Sequence, residues 1–182
     1  MKKIISIIII TLIIITGCAL NSNSSTEKNN KNKDKVIYNS YDEIFSIEAY
    51  PGWQNVTKGE LNKIANLEIV DYDKNKYFMA LMEKKEDFKL SYDEYKDYML
   101  KDIEKTYEIK IEETKEIEVG ESKFIYVEFK SAAPNSSVNF FMQVYIVETK
   151  NYYGRLFAWT NYSQREKYKE EFSNMVKTFK EK

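Results

Sequence analysis

The architecture turns on Val138-Asn139-Phe140-Phe141-Met142-Gln143-Val144-Tyr145-Ile146-Val147-Glu148. In a strand, successive side chains point to opposite faces. One face then carries Val138, Phe140, Met142, Val144 and Ile146; the other carries Phe141, Tyr145 and Val147 beside Asn139 and Gln143. Both faces are apolar enough to need cover, and Lys76–Lys84 behaves alike. A single antiparallel sheet with helices on both faces meets that need, which makes the expected fold class α+β.

Around this stretch, Ile44–Tyr50, Leu67–Tyr72, Ile109–Glu113, Lys115–Val119, Lys123–Lys130 and Tyr152–Asn161 also read as strands. Gly120-Glu121-Ser122 and Lys150-Asn151 have hairpin-turn chemistry, and Ala132–Ser137, with Pro134, reads as a longer loop. Two helices stand out. Ser91-Tyr92-Asp93-Glu94 is a capping-box pattern, and behind it Tyr92, Tyr95, Met99, Ile103 and Tyr107 recur on one side. Ser163-Gln164-Arg165-Glu166 repeats the box ahead of Tyr168, Phe172, Met175, Val176 and Phe179. Both apolar stripes read as core.

Composition removes several chemistries. With 182 residues the chain suits one domain, and 15% aromatic residues argue for a packed core. Zero histidines exclude Ser-His-Asp and Cys-His catalysis and His-ligated zinc; a single cysteine excludes internal disulfides and thiolate metal sites. Lys+Arg 28 against Asp+Glu 29 leaves no field for nucleic acid.

Residues 1–17 read as a signal peptide. Met1-Lys2-Lys3 is positive, Ile4 to Ile15 is apolar apart from Ser6 and Thr11, and Thr16-Gly17 precede the sole cysteine. The run is short of the roughly 20 residues that span a bilayer. Ile15-Thr16-Gly17-Cys18 resembles the bacterial lipobox. That resemblance implies cleavage after Gly17 and acylation of Cys18, which would place the protein on the outer face of the cell membrane with membrane lipid as its first partner. An uncleaved anchor, or an ordinary signal peptide with a chance cysteine, is the alternative. Abundant Lys, Ile and Asn fit AT-rich coding in a low-GC, Gram-positive bacterium. Residues 18–35 hold almost nothing apolar and read as the acylated cysteine and a disordered tether. Lys28, Lys31, Lys33 and Lys35 in the tether allow contact with anionic lipid, a solvated spacer being the plainer alternative. The folded domain is expected over 36–182. Setting aside Lys2, Lys3, the four tether lysines, Glu27 and Asp34 leaves 22 basic and 27 acidic residues.

Phe45-Ser46-Ile47-Glu48-Ala49-Tyr50-Pro51-Gly52-Trp53 is similar to the opening strand of PsbP-like domains, and Phe172-Ser173-Asn174-Met175-Val176-Lys177-Thr178-Phe179 resembles their last helix. The order of elements between them fits as well, so the resemblance covers about 41–182. It implies an α/β/α sandwich and a role in binding other macromolecules. No ligand residue of the photosynthetic members can be matched, so no manganese or calcium role carries over.

The residues offer few sites. Asp71-Tyr72-Asp73-Lys74-Asn75 opens like a calcium loop, but Lys76 and Met82 stand where that loop needs Gly and Glu, so turn chemistry is the plainer reading. Glu112, Glu113, Glu116, Glu118 and Glu121 alternate with isoleucine and valine as the wet face of a hairpin. No catalytic residue, metal ligand or cofactor is assigned. Tyr152, Tyr153 and Arg155 form the candidate contact surface, tyrosine and arginine being enriched at interfaces. The competing reading sends one tyrosine into the core while the other covers a sheet edge. The expected function is a non-catalytic, membrane-anchored binding or accessory module with a protein or envelope partner. The alternative is a carboxylate-dependent hydrolase acting on cell-envelope polymers.

Overall fold

The computed structural model describes residues 34–119, 122–132 and 137–182. The signal segment, Cys18 and the tether to residue 33 lie outside the described residues, as do Gly120, Glu121 and 133–136 of the two expected connections. Among the described residues ten strands and two α-helices follow in chain order. They are β1 (Val36–Asn39), β2 (Phe45–Ala49), β3 (Gln54–Asn55), β4 (Leu67–Asp71), β5 (Lys76–Lys84), α1 (Tyr92–Tyr107), β6 (Lys115–Val119), β7 (Ser122–Ala132), β8 (Asn139–Glu148), β9 (Tyr152–Asn161), α2 (Arg165–Val176) and β10 (Lys180–Glu181).

Seven strands form the main sheet in the order β3-β4-β5-β9-β8-β7-β6, with every ladder antiparallel. The two strands that are apolar on both sides, β5 and β8, flank β9 at its middle. One face packs Val70, Met79, Leu81, Met142, Val144, Ile146 and Phe157 against Tyr95, Met99 and Ile103 of α1. The other packs Leu67, Ile69, Phe78, Tyr145 and Leu156 against Tyr168, Phe172, Met175 and Val176 of α2. The antiparallel sheet with a helix on each face is therefore present. Gln143, fully buried on β8, is a polar residue of the α2 face. Its side-chain amide donates to Tyr126 Oη and to the Lys169 carbonyl of α2, and its oxygen accepts from Tyr145 Oη.

Three expectations change in detail. Phe45–Ala49 does not join the main sheet; it pairs with β1 and β10 in a separate three-stranded sheet that shares the α2 face. Ile109–Glu113 is not a strand. Glu108 ends α1 in a left-handed conformation, and the amides of Ile109 and Ile111 bond back to the Glu104 carbonyl and carboxylate. The box at Ser163 does not form, because a 3-10 turn over Tyr162–Gln164 carries the chain into α2 before Ser163 can cap it. The box at Ser91 forms in full, with the Glu94 carboxylate accepting from the Ser91 amide. Beyond α2 the chain turns at Thr178, whose hydroxyl donates to the Met175 carbonyl and accepts the Glu48 amide. Phe179 then stacks on Phe45 at 5.6 Å.

Gly154 in β9 is fixed by close packing. A Cβ there would lie 2.2 Å from Met82 Sδ and 2.8 Å from the Leu81 carbonyl, so no side chain fits.

Because Phe172 is fully buried under α2, Phe172→Ala should cost about 3–5 kcal/mol. Glu170→Ala, on the exposed side of the same helix, should stay within about ±0.5 kcal/mol. Urea melts of both variants check this; equal midpoints would mean that α2 is not part of the core.

Candidate functional site

Two buried clusters and one groove each gather ionisable groups from several elements. In the first cluster Lys76, 2% exposed, lies 3.1 Å from Asp71 Oδ2 and 2.6 Å from Glu171 Oε1. Its ammonium also stands 4.9 Å from the Trp53 ring and 5.1 Å from that of Tyr168. Trp53 Nε1 donates to the same Glu171 carboxylate at 2.9 Å. One cation thus joins β4, β5, α2 and the Pro51–Trp53 turn. Asp71 also accepts the Lys74 amide, and Asn75 closes that turn in a left-handed conformation, so the calcium-loop-like stretch serves as a strand connection.

The second cluster surrounds Glu68, 1% exposed in β4. Its carboxylate accepts the amides of Gly59, Leu61 and Asn62 at 2.6–2.7 Å and the Tyr41 hydroxyl at 2.8 Å. It is the anchor of the 57–62 loop. Burial, followed by the bond to Glu68, pushes the Tyr41 hydroxyl well above the usual phenol range.

Tyr152, Tyr153 and Arg155 do not make one surface. Adjacent strand residues face opposite ways. Tyr153 enters the α1 side, stacked on Tyr95 at 4.8 Å with its hydroxyl donating to the Leu90 carbonyl. Arg155 follows it inward, 2% exposed, with Nη1 3.3 Å from Asp102 of α1. Tyr152 is half-buried on the other side, its ring edge-on to Phe45 at 4.9 Å. One tyrosine enters the core and one covers the small sheet.

The groove was not legible in the sequence. It measures about 940 Å³ and lies where the end of β6 and the start of β7 and the β8–β9 connection meet the chain leaving α2. Lys123, Lys150, Lys177 and Lys180 line it, all exposed. Its carboxylates are engaged. Glu148 pairs with Lys85 at 2.7 Å and Glu48 with Lys35 at 3.8 Å, while Glu181 accepts the amide and side-chain N–H of Asn151. Burial pushes the Glu181 carboxyl up, but bonds from Thr149 and Asn151 and the charge of Lys150 outweigh it and hold it below the usual range. Lys123 pairs with Glu116 at 3.0 Å. Among the described residues no carboxylate lies within ion-pair distance of Lys150, Lys177 or Lys180. These lysines come from two distant parts of the chain, and no local spacing announces them. What they can do is hold an anion at the surface.

Among the described residues there is no cluster of His, Cys, Asp and Glu arranged to hold a metal, and no helix long and apolar enough to cross a membrane.

An antiparallel sheet with one helix on each face defines an α+β sandwich. No protein-family model matches the chain, and no curated protein matches it. Solved structures do. The solution structure of cyanobacterial PsbP (CyanoP) from Synechocystis sp. PCC 6803 matches with a TM-score of 0.58 at 9% identity, covering 87% of this chain and 98% of that one. A crystal structure from Bacteroides thetaiotaomicron VPI-5482 matches with a TM-score of 0.53 at 15% identity, covering 82% of this chain and 48% of that longer one. The fold is PsbP-like, and identities this low speak of fold alone.

Removing the cation from the first cluster leaves two carboxylates facing each other without it. Lys76→Met should therefore cost about 3–5 kcal/mol, and adding Asp71→Asn with Glu171→Gln should recover much of that loss. Denaturant midpoints of the single and triple variants are the check. A single variant as stable as the parent would show that the cluster contributes nothing.

Proposed function

We propose that this chain is a lipid-anchored, extracytoplasmic binding or accessory module, held through acylated Cys18 at the outer face of the cell membrane. The observation that carries the reading is the layout of residues 1–18. A positive start and a short apolar run lead to Thr16-Gly17 and then to the one cysteine in the chain. Lipid attachment by more than one acyl chain gives durable anchoring, whereas a single chain binds only marginally.

The interior supports a non-catalytic role. A carboxylate hydrolase needs an acid and a base or nucleophile free to meet substrate. Here Asp71 and Glu171 are both held by Lys76, and Glu68 is used by four donors. Each of these three carboxylates supports the fold through contacts that a substrate would have to break. Binding then falls to the surface, where the lysine-lined groove is the feature best suited to a charged partner. The likeness to cyanobacterial PsbP is one of fold and leaves the role to be argued from the residues at the surface.

Cys18→Ser should abolish incorporation of labelled fatty acid and either leave the precursor uncut or release the protein from membranes. Metabolic labelling followed by carbonate washing is the measurement. A serine variant that remains labelled and membrane-bound would overturn the reading.

A further inference from the structure

We infer that the lysine-lined groove is the membrane-facing end of the domain and that Lys150, Lys177 and Lys180 contact the phosphates of anionic lipid headgroups. The inference rests on the anchoring proposed above and adds an orientation and a ligand to it.

Two independent observations converge on this end. The first is charge. The domain as a whole carries more acid than base, 22 basic against 27 acidic residues beyond residue 35, so an anionic surface repels most of it. At the groove the sign reverses locally. Glu48 and Glu148 are paired with Lys35 and Lys85, and Glu181, bonded to neutral Asn151, feels the charge of Lys150, while Lys150, Lys177 and Lys180 form no close ion pair among the described residues. A neighbouring hollow of about 580 Å³ shares Lys150 and Glu181 with the groove, and its Lys84 and Lys85 are paired with Glu86 and Glu148. The groove lysines act within about 8–10 Å at physiological ionic strength, so they matter only if this end is held close to the lipid.

The second observation supplies that closeness. The chain from Cys18 enters the described fold at the groove's rim. Lys35 is bonded to Glu48, which lines the groove, and stands 5.6 Å from the Tyr50 ring, so the entry point is fixed. Roughly 17 residues separate Cys18 from Lys35, a reach of at most about 60 Å. Anchored from this side, the groove end approaches lipid without the chain wrapping around the domain. Along nine-residue β5 the turn after β4 lies about 30 Å from Lys84, at the end of the sheet away from Lys150.

The test uses the full lipidated chain, extracted from membranes and returned to vesicles of phosphatidylcholine alone or with about one-third phosphatidylglycerol. Lysine acylation by a water-soluble amine reagent, read residue by residue by mass spectrometry, reports which lysines the bilayer shields. The expected result is at least about fivefold slower acylation of Lys150, Lys177 and Lys180 on phosphatidylglycerol vesicles, relieved by high salt. Lys74 and Lys105, distant from the groove, should react alike on both. Replacing Lys150, Lys177 and Lys180 together by Gln should bring the shielding of the neighbouring Lys123 to the phosphatidylcholine level.

The outcomes separate the two ideas. Flotation with both vesicle types, with acylation rates indifferent to phosphatidylglycerol, overturns the groove assignment and leaves anchoring intact. Flotation with phosphatidylglycerol vesicles only, with the groove lysines shielded, overturns anchoring and supports the groove. No flotation with either overturns both. Equal shielding by soluble glycerophosphate without vesicles would assign the lysines to a free anion and overturn the membrane orientation.

Discussion

A sheet whose central strands are apolar on both sides cannot leave either face in water, and most of this molecule follows from that constraint. β5, β8 and β9 bury nearly every side chain, so each face needs its own cover. At roughly 25 cal/mol per Å² of apolar surface, exposing either face would outweigh the net stability of a domain this size. α1 closes one side. α2 closes the other with help from the three-stranded sheet, which brings together the two ends of the described chain. Gln143, a polar residue of β8, donates to the α2 backbone, so a break in the apolar pattern also helps fix the helix.

Charge inside the molecule is used in the same way. Lys76, Glu68 and Arg155 are each almost fully buried, and each joins segments remote in sequence. Lys76 meets Glu171 across 95 positions, Glu68 gathers a loop through its backbone amides, and Arg155 reaches Asp102 of α1. Removing such a charge costs more than making the pair gains, since the partner is left stranded. These groups are therefore poor candidates for chemistry and good ones for fixing a single arrangement. The residues with freedom to act are outside, and the groove collects three of them, Lys150, Lys177 and Lys180.

What could be read in advance divides by range. Ser91 and Glu94 cap α1 because the capping box is complete within four residues. Tyr168, Phe172, Met175 and Val176 are buried as helical period places them, whereas Phe179, expected on the same stripe, lies beyond the end of α2 and is buried by stacking on Phe45 after the turn at Thr178. The same local reasoning failed at Ser163, where an extra turn shifted the start of α2, and at Ile109–Glu113, where alternation of isoleucine with charge served a coil bonded to the end of a helix. The small sheet escaped notice because β10 has only two residues and pairs with β2 from the opposite end of the chain. Glu68 and Lys76 gave a faint signal, a charge alternating with core residues in an otherwise apolar strand. Their partners could not be named without the fold. The groove depends wholly on tertiary placement, so only the fold brings Lys123 and Lys150 beside Lys177 and Lys180.

The central claim is that both faces of the seven-stranded sheet are covered as one cooperative core. Amide hydrogen exchange on the intact chain tests it most directly, strand by strand, under conditions that favour the native state. The account predicts that amides of β5, β8 and β9 exchange only through global unfolding, with α2 and β2 opening at the same free energy or close to it. Rapid exchange of α2 and β2 beside a protected β8 would contradict it, because the α2 face would then be open to water in the native protein.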